Sequence, residues 1–230
     1  MLTPEFRRAV CFHEAGHAVI HALGGSSIYA LAVAPEGSES WTYEGRKGAV
    51  IEGAAGVCEP CDSPRLAMYL VWDGTSYRAN RNEFNNVHRS MAASLGGTRG
   101  KHLLTDVRRL VRRRICGALA GPIAESYYEK REFNVWETEG WVDPGSDVEH
   151  AMGLAQLLPY RREFEHACDV TCEALRRPEI WARVVALADE LEHAENMSED
   201  AIAEFLPPPE ANWPPSGAAR WRDHYAVELA

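Results

Sequence analysis

The chain has 230 residues, a formal net charge of −10, and 46% hydrophobic and 25% charged residues. A globular chain of this length buries a core without needing disulfides or a structural metal. Its acidic balance argues against nucleic acid as the main partner, because phosphate contacts need clustered lysine and arginine. One basic run has helical spacing, which favours a solvated helix face; it comprises Arg108, Arg109, Arg112, Arg113 and Arg114.

No stretch of the sequence approaches the ~18–20 apolar residues that a membrane-spanning helix needs. The first residues also lack the apolar core of a secretory leader. We therefore expect a cytoplasmic protein with no membrane partner, and its six cysteines are expected to be reduced.

The first predicted element is a helix over residues 4–23. Thr3 can cap its start, Pro4 suits the first helical position, and Gly24 with Gly25 favours its end. A strand over residues 28–34 follows.

Short strand-like pieces are then predicted at 41–43, 49–51 and 68–72, separated by glycine-rich turns. Residues 74–101 are polar and weakly periodic, which predicts an exposed loop or mobile segment. Beyond them the pattern is mainly helical.

Helical periodicity covers residues 103–128, with interruptions predicted at Gly117 and at Gly121-Pro122. It resumes near 146 and continues to about 206, with breaks at Pro159 and Pro178 and a new helix start at Ser198. The predicted fold class is therefore α+β, predominantly helical, with a small sheet in the N-terminal third.

An HExxH motif, His13-Glu14-Ala15-Gly16-His17, lies inside the first predicted helix. Residues at i and i+4 share one helix face, so both imidazoles can reach the same ion. Glu14 is then close enough to take a proton from a water activated by that ion. The motif predicts one zinc ion per chain, held by His13 and His17, with Glu14 as the general base.

A catalytic zinc site needs a third protein ligand and an open position. The longer HExxHxxGxxH pattern is not met, because Ile20 and Leu23 stand at its glycine and third-histidine positions. His21 is one helical turn beyond His17, about 6 Å along the axis, which makes it a weak candidate. The third ligand is expected from later in the chain.

Three segments resemble the FtsH family of AAA+ zinc proteases. Residues 13–19, His-Glu-Ala-Gly-His-Ala-Val, are similar to that family's metal-binding helix. Residues 118–125, Ala-Leu-Ala-Gly-Pro-Ile-Ala-Glu, are similar to its GGRxAE-type helix, and residues 145–151, Gly-Ser-Asp-Val-Glu-His-Ala, to its GASNDIxxAT-type segment. The resemblance implies a zincin-like metalloendopeptidase domain.

The resemblance also assigns roles to two later residues. It implies that Asp147 is the third zinc ligand and that Glu125 orients a histidine ligand. Independently, Asp147 begins a predicted helix, where the helix dipole favours a carboxylate. Plain helix acids remain the alternative for both residues.

The implied peptidase domain spans residues 1–206, with 35–100 as a divergent strand and loop insertion and 207–230 as a proline-containing tail. No ATPase motif accompanies it, since Leu95 stands where a Walker A loop has its first glycine and His102 stands where it has serine or threonine. We therefore expect ATP-independent cleavage of peptides or unfolded proteins by the single chain, with a homo-oligomer or a separate ATPase as candidate partners.

Two other functions stay open at this point. The same ligands would serve a zinc hydrolase acting on a non-peptide amide. A catalytically weak, metal-containing binding or regulatory protein is the other alternative, although such a protein has no need of Glu14.

Two cysteine pairs add a further candidate site. Cys58 and Cys61 form a CxxC pair, and Cys168 and Cys172 form a CxxxC pair. Together they could hold a structural metal through four thiolates. Reduced, partly buried cysteines are the favoured interpretation, because the two pairs lie far apart in the sequence.

Overall fold

The computed structural model describes residues 3–38, 41–45, 48, 50–60, 65–134 and 146–215. Within these ranges the chain is α+β and predominantly helical, as the sequence predicts. The helices are α1 (Pro4–Leu23), α2 (Arg81–Leu95), α3 (Gly97–Tyr128), α4 (Asp147–Ala155), α5 (Glu163–Leu175), α6 (Pro178–Ala194) and α7 (Glu199–Ala203). The strands are β1 (Ile28–Val33), β2 (Thr42–Glu44), β3 (Val50–Glu52), β4 (Gly56–Pro60), β5 (Leu70–Trp72), β6 (Tyr77–Ala79) and β7 (Asn196–Ser198).

Helix α1 lies at the centre of the core and has the predicted bounds. The Thr3 hydroxyl accepts a hydrogen bond from the Phe6 amide at 3.2 Å, Pro4 occupies the first turn, and Gly24 caps the end. Nearly every residue after the first turn of α1 is buried, because α3, α6, β1 and β4 all pack around it. A metal motif in this helix is therefore held in the interior.

The main sheet has three antiparallel strands in the order β4-β1-β7, and β2-β3 and β5-β6 form two separate hairpins. Leu31 of β1 pairs with Cys58 of β4 on one side and with Met197 of β7 on the other. The prediction of helix through 196–198 is wrong, because Glu195 takes a left-handed φ of 60° and turns the chain toward β1. A new helix starts after Ser198, as predicted.

The prediction of a loop over residues 74–101 is also wrong, since α2 and the start of α3 occupy most of this segment. Asn80 accepts a hydrogen bond from the Glu83 amide at 3.1 Å and donates one to its carboxylate at 2.7 Å. This reciprocal capping starts α2. Phe84, 3% exposed, then packs edge-on against Tyr69 and fixes the helix to the short 3-10 helix Arg65–Tyr69.

Helix α3 runs without a break through Gly117, Gly121 and Pro122, contrary to the prediction. Both glycines are fully enclosed by α1, and this packing keeps the segment helical despite its low intrinsic propensity. The breaks predicted near Pro159 and Pro178 are confirmed, since α4 ends before the first and α6 begins at the second.

The basic run on α3 is not the solvated face that its spacing favours. Arg108 is exposed, but Arg112 forms two hydrogen bonds with the buried Glu163, and Arg113 donates to the Trp213 carbonyl. Trp213 is itself only 5% exposed and belongs to the main core. Arg112 therefore connects α3 to α5, and Arg113 connects α3 to the segment after residue 206.

None of the described helices is both long enough and apolar enough to cross a membrane.

Candidate metal centre

The predicted site residues come together where three helices meet. His13, Glu14 and His17 lie on α1, Glu125 on α3, and Asp147 at the first position of α4. Ser146 caps α4 through its hydroxyl, which places the Asp147 carboxylate at the helix start, as the sequence predicts.

The ligand-type atoms converge on one point. The Oδ2 atom of Asp147 lies 3.0 Å from Nε2 of His13 and 3.2 Å from Nε2 of His17. Among the described residues these three form the group with metal-binding potential, their ligand atoms lying within 4.8 Å of one another. His21, one turn further along α1, is not part of this group.

The other nitrogen of each imidazole is already bonded. Nδ1 of His13 lies 2.8 Å from Oε2 of Glu125, and Nδ1 of His17 lies 2.7 Å from the carbonyl oxygen of Gly117. A carbonyl oxygen can only accept, so Nδ1 of His17 carries a proton, and the Glu125 carboxylate favours the same tautomer in His13. In neutral imidazoles, both Nε2 lone pairs then face Asp147.

This arrangement fits a zinc ion. Two lone pairs and a carboxylate oxygen repel one another unless a cation lies between them, and two imidazoles with one carboxylate are a zinc donor set. Ligands at 2.0–2.1 Å in tetrahedral geometry are about 3.3 Å apart, close to the two distances at Asp147. The three ligand atoms lie within 4.8 Å of one another, so the residues present could hold zinc once the side chains close to tetrahedral spacing.

The pKa shifts within the cluster also favour a positive charge at this position. Burial lowers the pKa of His13, but hydrogen bonds to Asp147 and Glu125 outweigh it and leave the pKa well above its usual range. The same balance, with Asp147 as the main opposing charge, raises the pKa of His17. Burial raises the pKa of Asp147, yet the two imidazoles leave it well below its usual range. The cluster thus stabilises positive charge beside Asp147, whether that charge is carried by protons or by a metal ion.

Glu14 is buried beside this cluster, at 6% exposure. Burial raises the pKa of its carboxyl, and the nearby histidines oppose that shift only in part. A Cβ added at Gly56 of β4 would lie 2.7 Å from Oε1 of Glu14, so the glycine leaves room for the carboxylate against the strand. A carboxyl with a raised pKa is suited to accept a proton and to release it again.

Small residues on α3 let the two imidazoles lie directly on its backbone. A Cβ at Gly121 would approach Nε2 of His17 to 2.3 Å and Nε2 of His13 to 2.5 Å. At Gly16 of α1, a Cβ would lie 2.6 Å from Cβ of Ala124. The glycines that weaken the helical pattern in the sequence are therefore required by the close α1–α3 contact.

A cleft of about 240 Å³ opens beside His17 and Asp147. Its polar lining includes Arg114 and His150, for which the sequence alone predicts no role in binding, and also Cys58. His21 also lines it. Helical spacing could have suggested two of them, because His21 follows His17 by four residues and His150 follows Asp147 by three.

Among the described cysteines of the two pairs, Cys58 alone lines the cleft. Cys58, Cys168 and Cys172 are free thiols, and the metal-type group found among the described residues contains no cysteine. Cys61 lies outside the described residues, so the four-thiolate alternative is not described by the structure.

Comparison of the sequence with models of known protein families finds no match, and comparison with curated proteins finds none either.

Proposed function

We propose that the protein is a zinc-dependent metallopeptidase with a zincin-like domain. The observation that carries the proposal is the convergence of His13 Nε2, His17 Nε2 and Asp147 Oδ2, with both Nδ1 atoms already bonded elsewhere. Glu14 lies buried beside them, which a purely structural metal site does not need. The three segments that resemble FtsH-family proteases contribute all of these residues.

When bound, zinc supplies a Lewis acid that polarises a carbonyl and acidifies water. Glu14 accepts the proton of the attacking water and passes it to the departing amine. His13 and His17 are held in one tautomer by Glu125 and by the Gly117 carbonyl, so their ring orientation is set in advance.

Strand β4 favours a peptide substrate over a small amide. Within the described residues β4 pairs only with β1, and its Gly56 lies against Glu14 while its Cys58 and Pro60 line the cleft. An extended peptide that paired with the edge of β4 opposite β1 would pass Glu14. The substrate we infer is accordingly a flexible peptide or an unfolded protein segment.

Metal content tests the site directly. Wild-type protein purified without a histidine tag should contain one zinc per chain by elemental analysis, while His17→Ala and Asp147→Ala should lose it. Cys168→Ala is the matched control, because this thiol is a zinc-type ligand outside the cluster. Absence of zinc uptake by the wild type would remove the basis of the proposal.

Peptide cleavage tests the chemistry. Glu14→Gln should retain zinc but cleave a quenched fluorescent peptide about 10²–10⁴-fold more slowly, the usual effect of losing a general base. Equal cleavage by the variant and the wild type would contradict the role of Glu14. Zinc binding without cleavage of any peptide would favour a binding or regulatory protein instead.

A further inference from the structure

Helix α2 and the first part of α3, residues 81–110, form a helical hairpin at the edge of the core (the α2–α3 hairpin). A Cβ added at Gly100 would lie 2.2 Å from the carbonyl oxygen of Ala92, so the two helices are in close contact. Within 97–110 only Gly100 is buried, whereas α3 belongs to the core from Val111 onward. At 1.5 Å per residue this first part of α3 is about 20 Å long. The outer side of the hairpin therefore faces away from the core.

Three aliphatic side chains lie exposed in a row on α2. Val87, Met91 and Leu95 are 40%, 48% and 52% exposed, and their i, i+4, i+8 spacing places them on one helix face. Phe84 and Ala92 are the buried residues of this helix, so α2 is held by a narrow face and leaves the neighbouring row uncovered. The row spans about 12 Å, or two helical turns. Rows of this spacing receive the apolar face of an amphipathic helix in many complexes.

The α2–α3 hairpin is basic within an acidic protein. Residues 81–110 contain six lysine and arginine residues and two acidic residues, a net charge of +4, whereas the whole chain carries −10. In the part of the chain that the structure describes, the exposed Arg89, Arg99 and Lys101 form no ion pair. Arg99 and Lys101 follow Leu95 within six residues, at the tip of the hairpin. Such a surface is complementary to an acidic partner.

Two features favour an acidic protein segment over a membrane surface. The exposed row is aliphatic, and it lacks the aromatic side chains that interfacial helices place at the lipid headgroups. With the hairpin at +4 and the whole chain at −10, the rest of the chain carries −14, which anionic lipids would repel. An acidic amphipathic helix matches both the apolar row and the basic charge.

We propose that the α2–α3 hairpin is a docking surface for an acidic amphipathic helix of a partner protein. The apolar side of that helix covers Val87, Met91 and Leu95, and its carboxylates face Arg99 and Lys101. The proposal goes beyond the peptidase function and does not depend on it, because no residue of the hairpin belongs to the proposed metal centre.

The docking surface is connected to the cleft by one short segment. The 3-10 helix Arg65–Tyr69 contributes Leu66 and Ala67 to the cleft wall, and its Tyr69 packs edge-on against Phe84 of α2 with ring centroids 5.3 Å apart. A partner docked on α2 would thus lie on the helix that supports this part of the wall. That position suits a protein that brings substrate to the enzyme.

A designed peptide tests the surface. A labelled helical peptide of about 18 residues, with leucines along one face and glutamates elsewhere, would be titrated into wild-type protein by fluorescence anisotropy. We expect a Kd on the order of 10–100 μM, because the apolar row is short, and binding that weakens several-fold as salt rises from about 0.05 to about 0.5 M. A scrambled peptide of the same composition and a peptide with serine in place of leucine should each bind at least about tenfold more weakly.

Variants locate the binding on the hairpin. Met91→Glu should abolish it, and the double variant Arg99→Glu, Lys101→Glu should weaken it at least about tenfold. Val50→Glu and Arg161→Glu introduce the same changes at exposed residues outside the hairpin, and both should bind the peptide as the wild type does. All of these positions are exposed, so the far-UV circular dichroism spectrum should be unchanged.

Three outcomes would overturn the proposal. The first is an absence of binding at about 1 mM of the glutamate–leucine peptide, or equal binding by Met91→Glu and the wild type. The second is cosedimentation with anionic lipid vesicles without peptide binding, which would assign the surface to a membrane. The third is self-association in analytical ultracentrifugation that Met91→Glu abolishes, which would assign the surface to a second copy of this chain.

Discussion

Helix α3 contacts two polar clusters, and their charges are balanced in different ways. Toward α5, Arg112 donates from Nε and Nη2 to the two carboxylate oxygens of Glu163 at 2.8 and 2.6 Å. Toward α1 and α4, the carboxylate of Asp147 faces two imidazole nitrogens, and α3 bonds the far side of each ring. The first cluster is complete within the protein, whereas in the second the positive charge beside Asp147 is supplied by protons on the imidazoles or, as we propose, by a metal ion.

This difference separates a structural ion pair from the proposed metal site. Glu163 is 1% exposed, and each of its carboxylate oxygens accepts a hydrogen bond from Arg112. Removing either Glu163 or Arg112 would therefore leave the charge of the other residue buried and unpaired. The histidine–aspartate cluster of His13, His17 and Asp147 has its negative charge on Asp147, and a proton or a metal ion supplies the opposing positive charge. Changes at the first cluster should therefore alter stability, and changes at the second should alter metal binding.

Glu163→Ala is expected to have the largest effect on folding. Breaking a buried ion pair by removing one partner costs about 3–5 kcal/mol, because Arg112 would be left without its carboxylate. The free energy of unfolding from urea titration should fall by that amount, with zinc stoichiometry unchanged in the folded protein. The exposed Glu129, paired with Arg131, offers the control Glu129→Ala, for which a change below about 0.5 kcal/mol is expected.

Gly121→Ala, unlike Glu163→Ala, should weaken zinc binding. The added methyl would lie within 2.5 Å of Nε2 in both histidines, so the rings or the helices must move. We expect zinc affinity, measured against a competing chelator, to fall roughly 100-fold or more, the upper end of the loss seen when ligand orientation is disturbed. Overpacking should also lower stability by about 1–3 kcal/mol.

Gly100→Ala is the matched control for that experiment. It adds a methyl to the same helix with comparable crowding, 2.2 Å from the Ala92 carbonyl oxygen, but far from the histidines along the helix. A similar loss of stability with normal zinc affinity is expected. Equal zinc affinity in both variants would show that the tight α1–α3 contact does not position the ligands.

Glu125→Gln should have a smaller effect on the same site. The amide oxygen can still accept the hydrogen bond from Nδ1 of His13 at 2.8 Å, but the negative charge is lost. Zinc affinity should fall about 10-fold, the lower end of the range for a partner behind a ligand. The exposed Glu132 supplies the control Glu132→Gln, and an equal affinity for the two variants would contradict a role for Glu125.

The smallest effect expected is a pH dependence of zinc-stripped protein. Burial lowers the pKa of His13 and His17, but Asp147 outweighs burial, with help from Glu125 at His13 and from Glu14 at both, and both pKa values are raised. Stability from a raised histidine pKa is fully present below the unfolded-state value of about 6.5 and is lost as pH rises through the folded-state value. Tm should therefore fall by a few degrees as the pH rises above about 6.5, and measurements kept below about pH 7.5 avoid most of the titration of cysteine thiols, which centres at about 8.5 in the unfolded chain.

Zinc should reverse this trend. Binding requires neutral imidazoles, so the rise in Tm on adding zinc should grow over the same pH interval. Asp147→Asn removes the charge that raises both pKa values and should flatten the pH dependence of the zinc-stripped protein. A steep decline that persists in this variant would place its origin outside the histidine–aspartate cluster.

Features set by neighbouring residues could be predicted from the sequence. The bounds of α1 follow from Thr3, Pro4 and Gly24, and the i, i+4 spacing of His13 and His17 follows from the helix itself. The start of α4 at Asp147 follows from the local capping by Ser146. Each depends on contacts within a few residues, so the local pattern is sufficient.

The sequence-based predictions that are wrong concern elements stabilised by contacts between residues distant in sequence. β7 forms as a strand because it pairs with β1, about 165 residues earlier, and α3 continues through Gly117 and Gly121 because α1 packs onto them. α2 is the exception, since its start depends on the local Asn80–Glu83 capping pattern, which is visible in the sequence itself. Propensity alone does not register packing against a distant helix or strand.

The sequence by itself therefore determined the two histidines, the glutamate between them and the helix that carries them, because helical spacing is a local property. Only the tertiary structure decided that the Gly117 carbonyl holds His17 in one tautomer, that Asp147 meets both rings, and that Arg114 faces the cleft rather than solvent. These arrangements depend on how α3 and α4 pack against α1, and long-range burial of apolar surface sets that packing.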